Sequence, residues 1–179
     1  MSFPDTLILM LTSQDTETIL NAAGTLGTIA EFDEGREWLL NNIGDFTKLL
    51  EHAARLLQSS NQWVASNAAL VLARFSISDK GLQMIMERPQ LSNILVNLIN
   101  CLGVDKAGCG MNCAFTLGRI CDSSLGIRKI LETPNKAKMV SLIQIVIIAY
   151  VIVNKCTCTI DFRELQRELN AIHSSPTQL

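Results

Sequence analysis

The chain is poor in the residues that interrupt helices and in those that build β-sandwiches. Its 179 residues include only four prolines, and aromatics make up 5 %. That scarcity argues against a sheet-rich fold and for helices built on Leu, Ile and Ala, within an apolar content of 48 %. A large excess of charge of one sign is also missing. The net charge is −2, and no Lys/Arg cluster is long enough to grip a phosphate backbone, so nucleic acid is excluded as an expected partner. No cysteine precedes Cys101, and none of the six stands in a C-x-x-C pair. A secreted disulfide framework would be denser and more evenly spread. The start, MSFPDTLILML, lacks the basic residues and long apolar run of a signal peptide. These absences point to a reducing, intracellular compartment, the cytoplasm first and the nucleus second.

Chemistry-bearing patterns are absent as well. There is no Ser/His/Asp grouping, no Gly-rich phosphate loop after a strand, and no metal-ligand spacing. We therefore expect no enzyme, no cofactor and no metal. His52 falls on the polar flank of a helical stripe and reads as solvated. Cys101, Cys109, Cys113, Cys121, Cys156 and Cys158 read first as buried reduced thiols. A zinc or redox site is the alternative, with Cys109 and Cys113, four apart on one helix face, as the nearest thing to a ligand pair.

What is present is a repeat. NAAGTLGTIAEFDEGREWLL from Asn21 aligns with NAALVLARFSISDKGLQMIM from Asn67 and NCAFTLGRICDSSLGIRKIL from Asn112. The copies stand 46 and 45 residues apart. Gly35, Gly81 and Gly126 hold one place, as do Leu39, Ile85 and Ile130, and upstream Leu11, Leu57 and Leu102. Pro89 and Pro134 each close an E-x-P triplet. Each unit reads as helices between polar breaks. FTKLLEHAARLLQ carries a stripe of Phe46, Leu49, Leu50, Ala53, Leu56 and Leu57. SSNQ then supplies a cap for WVASNAALVLARFS, SDKG closes that helix, and a short helix runs from Gly81 to about Glu87. TSQD and GVDKAG are the matching breaks before the first and third copies. A period near 45 with two or three helices belongs to solenoids, in which a unit buries its apolar face only against its neighbours.

On these residues the chain resembles the armadillo repeat family. Its third-helix pattern runs Ala, small, Trp or other, any, Leu, any, Asn, apolar, Ala. AAGTLGTIA from Ala22, AALVLARFS from Ala68 and CAFTLGRIC from Cys113 follow its Ala and Leu framework. The resemblance implies an all-α, right-handed α-solenoid of armadillo/HEAT-like repeats, with about three recognisable repeats and a divergent C-terminal unit. It also implies a concave groove lined by the third helices. Members that bind extended peptides, such as nuclear-import adaptors and the catenins, carry Trp and Asn in that groove. Those positions here are Gly24 and Thr28, Leu70 and Arg74, Phe115 and Arg119, so recognition of import signals is not carried over.

A helical wheel puts Ile19, Ala22, Leu26 and Ile29 on one face of the first copy and Asn21, Gly24, Thr25, Thr28 and Glu31 on the other. The small residues Ala22, Ala23 and Gly24 let neighbouring helices approach. The expected protein-binding groove comprises Asn21, Thr28, Asn67, Leu70, Arg74, Asn112, Phe115 and Arg119. The asparagines would pair with an extended backbone, the arginines with acidic side chains, and Leu70 and Phe115 would anchor apolar groups. The competing reading is that the asparagines pin neighbouring helices. Trp38 and Trp63 are expected between stacked helices.

Three regions are expected: repeats over 1–134, a divergent apolar helix and partial fourth repeat over 135–155, and a short amphipathic helix with a frayed tail over 156–179. At the start, Phe3, Leu7, Leu9 and Met10 look under-covered, as an unusual cap or an array lacking upstream repeats would leave them. Residues 139–153 are almost unbroken apolar sequence flanked by lysines, about 15 residues against the roughly 20 a spanning helix needs. They read as a buried terminal helix, a membrane anchor, or a variant sequence that leaves the repeat. The expected function is a non-enzymatic scaffold or adaptor that binds a protein or extended peptide, possibly an acidic one, in the groove. The alternatives are a membrane-associated adaptor held by 139–153, or a regulatory subunit of an enzyme complex.

Overall fold

The computed structural model describes residues 1–102 and 108–132. The apolar stretch 139–153, the amphipathic helix expected within 156–179, most of the GVDKAG break and the region boundaries at 134 and 155 lie outside them. The described residues form helices and turns, with no strand among them. In order they are α1 (Phe3–Met10), α2 (Thr16–Ile29), α3 (Asp33–Asn42), α4 (Phe46–Leu56), α5 (Gln62–Ser76), α6 (Asp79–Met86), α7 (Leu91–Cys101), α8 (Cys109–Cys121) and α9 (Ser124–Leu131). None of these is long and apolar enough to cross a membrane.

Helix starts follow the polar breaks. Asp15 caps α2 by accepting from Thr18 N at 2.8 Å, and Asn61 caps α5 by accepting from Trp63 N and Val64 N. Ser78 and Ser123 cap α6 and α9 through Gly81 N and Gly126 N. The short helix expected from Gly81 starts two residues earlier, at Asp79, because Ser78 is the cap.

The helices stack by role. α1, α4 and α7 pack in one row, α2, α5 and α8 in a second, and each short helix (α3, α6, α9) turns the chain between units. The stripe of α4 is buried throughout, and the core continues through Leu26, Leu39, Leu72, Ile94, Leu98 and Leu117 without a gap between repeats. Each such side chain contributes about 1.5–3 kcal/mol on burial, part of it within its own unit and part only when the neighbouring unit is in place. Helices stacked into one continuous core make the fold an α-solenoid, as the period predicted.

Polar bonds spanning one repeat length seal the interfaces. Arg55 Nη2 donates to Leu11 O at 2.7 Å, Asn97 Nδ2 to Ala54 O at 2.8 Å, and Asn67 Nδ2 to Leu20 O at 3.2 Å. Most of the accepting carbonyls lie at helix C-terminal ends, where the backbone has no partner of its own. The repeated glycine has an equally local cause. A Cβ on Gly35, Gly81 or Gly126 would run into the carbonyl oxygen of Ile29, Phe75 or Ile120 at the end of the preceding long helix. Only a glycine lets the short helix turn so tightly against that end.

At the start, Leu7 and Ile8 are buried against α4 and α2, while Phe3 and Leu9 are exposed. Asp5 fixes α1 by accepting from Gly44 N at 2.9 Å, and that bond holds its carboxyl below the usual range.

The tryptophans depart from expectation. Trp63 is 65 % exposed and Trp38 43 % exposed, the latter tilted against Phe3 with ring centroids 6.4 Å apart. Leu39 and Leu40 of α3 and Val64 and Ala68 of α5 are the residues that face the interfaces, and each tryptophan stands on the other side of its helix.

Candidate functional site

The candidate site is the solvent-facing side of the row α2–α5–α8. At 100° per residue, Trp63, Asn67, Leu70 and Arg74 fall within about 60° of one another on α5. The same phase gives Asn21, Gly24 and Thr28 on α2, and Asn112, Phe115 and Arg119 on α8. The stacking of the three helices sets these positions side by side.

The eight expected groove residues share this face but differ in how they are held. Asn21 and Thr28 are exposed on α2. Asn67 is half-buried. Its amide bonds Leu20 O and sits over Gly24, whose missing side chain leaves room, since a Cβ there would lie 3.6 Å from Nδ2. Leu70 lies over Gly27, where a Cβ would come within 3.0 Å of its Cδ2. The thin helix α2 thus receives the side chains of α5. Asn112 and Phe115 are half-buried on α8.

The two arginines occupy different environments. Arg74 forms one ion pair, with the half-exposed Glu31 of the preceding repeat at 3.3 Å, and its Nε is shielded without an acceptor among the described residues. Arg119 is committed. Its Nε donates to Ser76 O at 3.0 Å and its Nη2 to Ile77 O at 3.3 Å. It also pairs with Asp122 at 2.7 Å and Asp79 at 3.2 Å. It closes the C-terminal end of α5 where the carbonyls lack partners and the helix dipole favours a cation. Arg36, nearly fully buried, does the same for α2, donating from Nη1 to Ala30 O at 2.8 Å while paired with Asp33.

Sequence reasoning did not include Trp63 in the groove. The signal was its phase: four residues before Asn67, it belongs to the Asn67–Leu70–Arg74 stripe and not to the buried Val64–Ala68–Val71–Phe75 stripe. An exposed indole one turn from a carboxamide offers a flat apolar surface beside hydrogen-bonding groups. What the face can do chemically is bind.

No family model matches the chain, and no curated protein matches it in sequence. Solved structures do match in fold. A computationally designed armadillo repeat protein, made for modular peptide recognition, is similar at a TM-score of 0.64 and 20 % identity, over 84 % of this chain and 64 % of that one. An engineered protein is similar at a TM-score of 0.62 and 19 % identity, over 82 % of this chain and 62 % of that one. The chain spans a little over three-fifths of the length of these two proteins. These likenesses establish the fold class as an armadillo-like repeat α-solenoid.

Proposed function

We propose that this protein is a non-enzymatic scaffold that binds an extended segment of another protein across α2, α5 and α8. The observation that carries the reading is the continuous face on which Trp63, Asn67, Leu70 and Arg74 line up between Thr28 and Phe115. The designed armadillo protein of the same fold, built for peptide recognition, supports a peptide as the kind of ligand. Trp63 and the exposed part of Leu70 supply apolar anchors, and the free Oδ1 of Asn67 accepts from a peptide backbone. Asn21 and Asn112 extend the same row for further backbone contacts.

An acidic ligand is supported by Arg74 in particular. Its pair with Glu31 is half-exposed and worth about 0–1 kcal/mol, so a ligand carboxylate can displace it. Turning the guanidinium outward would also give the shielded Nε an acceptor and allow a bidentate contact. Arg119, with four intramolecular partners, serves the fold first.

The test is selection of a random twelve-residue peptide library on the full chain, followed by affinity measurement on the W63A/R74E double variant. Both sites are on the surface, so helical circular dichroism should be unchanged. The selected sequences should contain Asp or Glu, and affinity for the double variant should fall at least tenfold. Peptides that bind the double variant as tightly as the parent refute the groove.

A further inference from the structure

The packing of α7 against α8 brings together three side chains that the sequence keeps up to twelve residues apart. Cys101 is the last residue of α7, Cys109 the first of α8, and Cys113 stands one turn further on. Their three sulphurs lie within 4.8 Å of one another, and all three residues are buried, Cys113 completely. The fourth described cysteine, Cys121, is buried elsewhere and is not part of the cluster. The preceding repeat fills the equivalent positions with Leu56, Val64 and Ala68. Packing alone would be served by hydrocarbon there, and two of the three thiols are smaller than what they replace.

We propose that Cys101, Cys109 and Cys113 form a three-thiolate site for a soft monovalent d10 cation, copper(I). Sulphurs around a shared ion with metal–sulphur bonds of ~2.3 Å sit roughly 4 Å apart, so closing the site needs shifts of under about 1 Å. Thiolates select copper(I) and zinc over harder ions. Zinc would need water or another fourth donor to complete its tetrahedral shell, and no fourth His, Cys, Asp or Glu joins this cluster among the described residues. Three sulphurs complete a trigonal copper(I) shell. Binding breaks three S–H bonds, releases three protons to solvent and forms three S–Cu bonds. No electron is transferred, because the ion arrives and stays monovalent.

One local field favours a thiolate at Cys109. Cys109 opens α8, where the helix N-terminus carries roughly half a positive charge. Cys109 and Cys113 can both turn their S–H groups toward Cys101. While neutral, Cys101 gives its own proton to Leu57 O, 3.3 Å away.

The experiment uses the full reduced chain carrying C156S and C158S, so that the distal pair does not contribute. Copper(I) is added anaerobically as its acetonitrile complex, against a chromophoric copper(I) chelator. One equivalent should bind, with sulphur-to-copper absorption in the near ultraviolet, and C121S should leave this unchanged. C101S or C109S should lower the affinity at least a hundredfold. X-ray absorption on the loaded parent should give three sulphur neighbours, a readout that holds even if a cluster variant fails to fold. The proposal is overturned by loss of binding in the starting C156S/C158S chain, by full affinity in C101S, by a two-sulphur or oxygen-containing shell, or by preferential binding of one zinc with a four-coordinate cobalt(II) spectrum.

Discussion

Replacing Gly81 with alanine tests the reason for the repeat's most regular residue. In an ordinary helix interior this change is favourable by about 0.5–1 kcal/mol, since alanine loses less backbone entropy. At Gly81 the added Cβ collides with the carbonyl oxygen of Phe75 and comes within 3.1 Å of Ser78 Oγ. Neither can retreat cheaply. Phe75 is 1 % exposed and packs edge-on against Phe46 with centroids 5.5 Å apart, and Ser78 Oγ caps the same helix. Overpacking of this kind costs about 1–3 kcal/mol and outweighs the propensity gain. Gly24 is the internal control. It also lies within a helix, but its Cβ would meet only Asn67 Nδ2, at an ordinary 3.6 Å. Thermal unfolding followed by circular dichroism should therefore give opposite signs. G81A should lower the melting temperature by about 2–10 °C, and G24A should raise it by about 1–4 °C. A G81A protein as stable as the parent would refute the claim that close approach, and not chance, fixes the glycine at this point of each unit.

The arginines should separate in the same assay. R119M removes charge-assisted bonds from the end of α5 and should cost about 2 kcal/mol, whereas R74M removes one half-exposed pair and should cost under about 1 kcal/mol. Equal losses would show that Arg119 does not hold the α5–α8 joint. His52 predicts a pH dependence. Burial, then Arg55, lowers its pKa from 6.5, so the folded state favours the neutral ring. Its contribution is present above pH 6.5 and is lost as pH falls toward the lowered folded value. The parent should therefore lose stability relative to H52Q as the pH falls from 7.5 to 5. A constant difference between them from pH 7.5 to 5 would refute this.

Much of the local architecture was legible in the residues. The caps at Asp15 and Asn61, the α4 stripe and the 45-residue period follow from short-range rules, since each depends on residues within one helix or its flanking turn. Gly35, Gly81 and Gly126 were visible as a recurrence, but the carbonyl each one avoids belongs to the previous helix. Trp63 looked like a core residue because its type is apolar. Its phase on α5 placed it outside, away from the buried Val64, Ala68, Val71 and Phe75. Arg74 and Arg119 occupy equivalent repeat positions and looked interchangeable. The acceptors that distinguish them lie about 43 residues back along the chain.

The sequence alone determined that this protein is helical, repetitive and stacked, because periodicity and capping are local properties and one unit has nowhere else to bury its apolar face. Tertiary structure alone decided which polar side chains remain available and which are consumed at the joints. It also decided that Cys101 of α7 meets Cys109 and Cys113 of α8. The reason is the same in both cases: a hydrogen bond or a sulphur cluster depends on distances of a few ångströms, and only the packing of one helix against the next sets those.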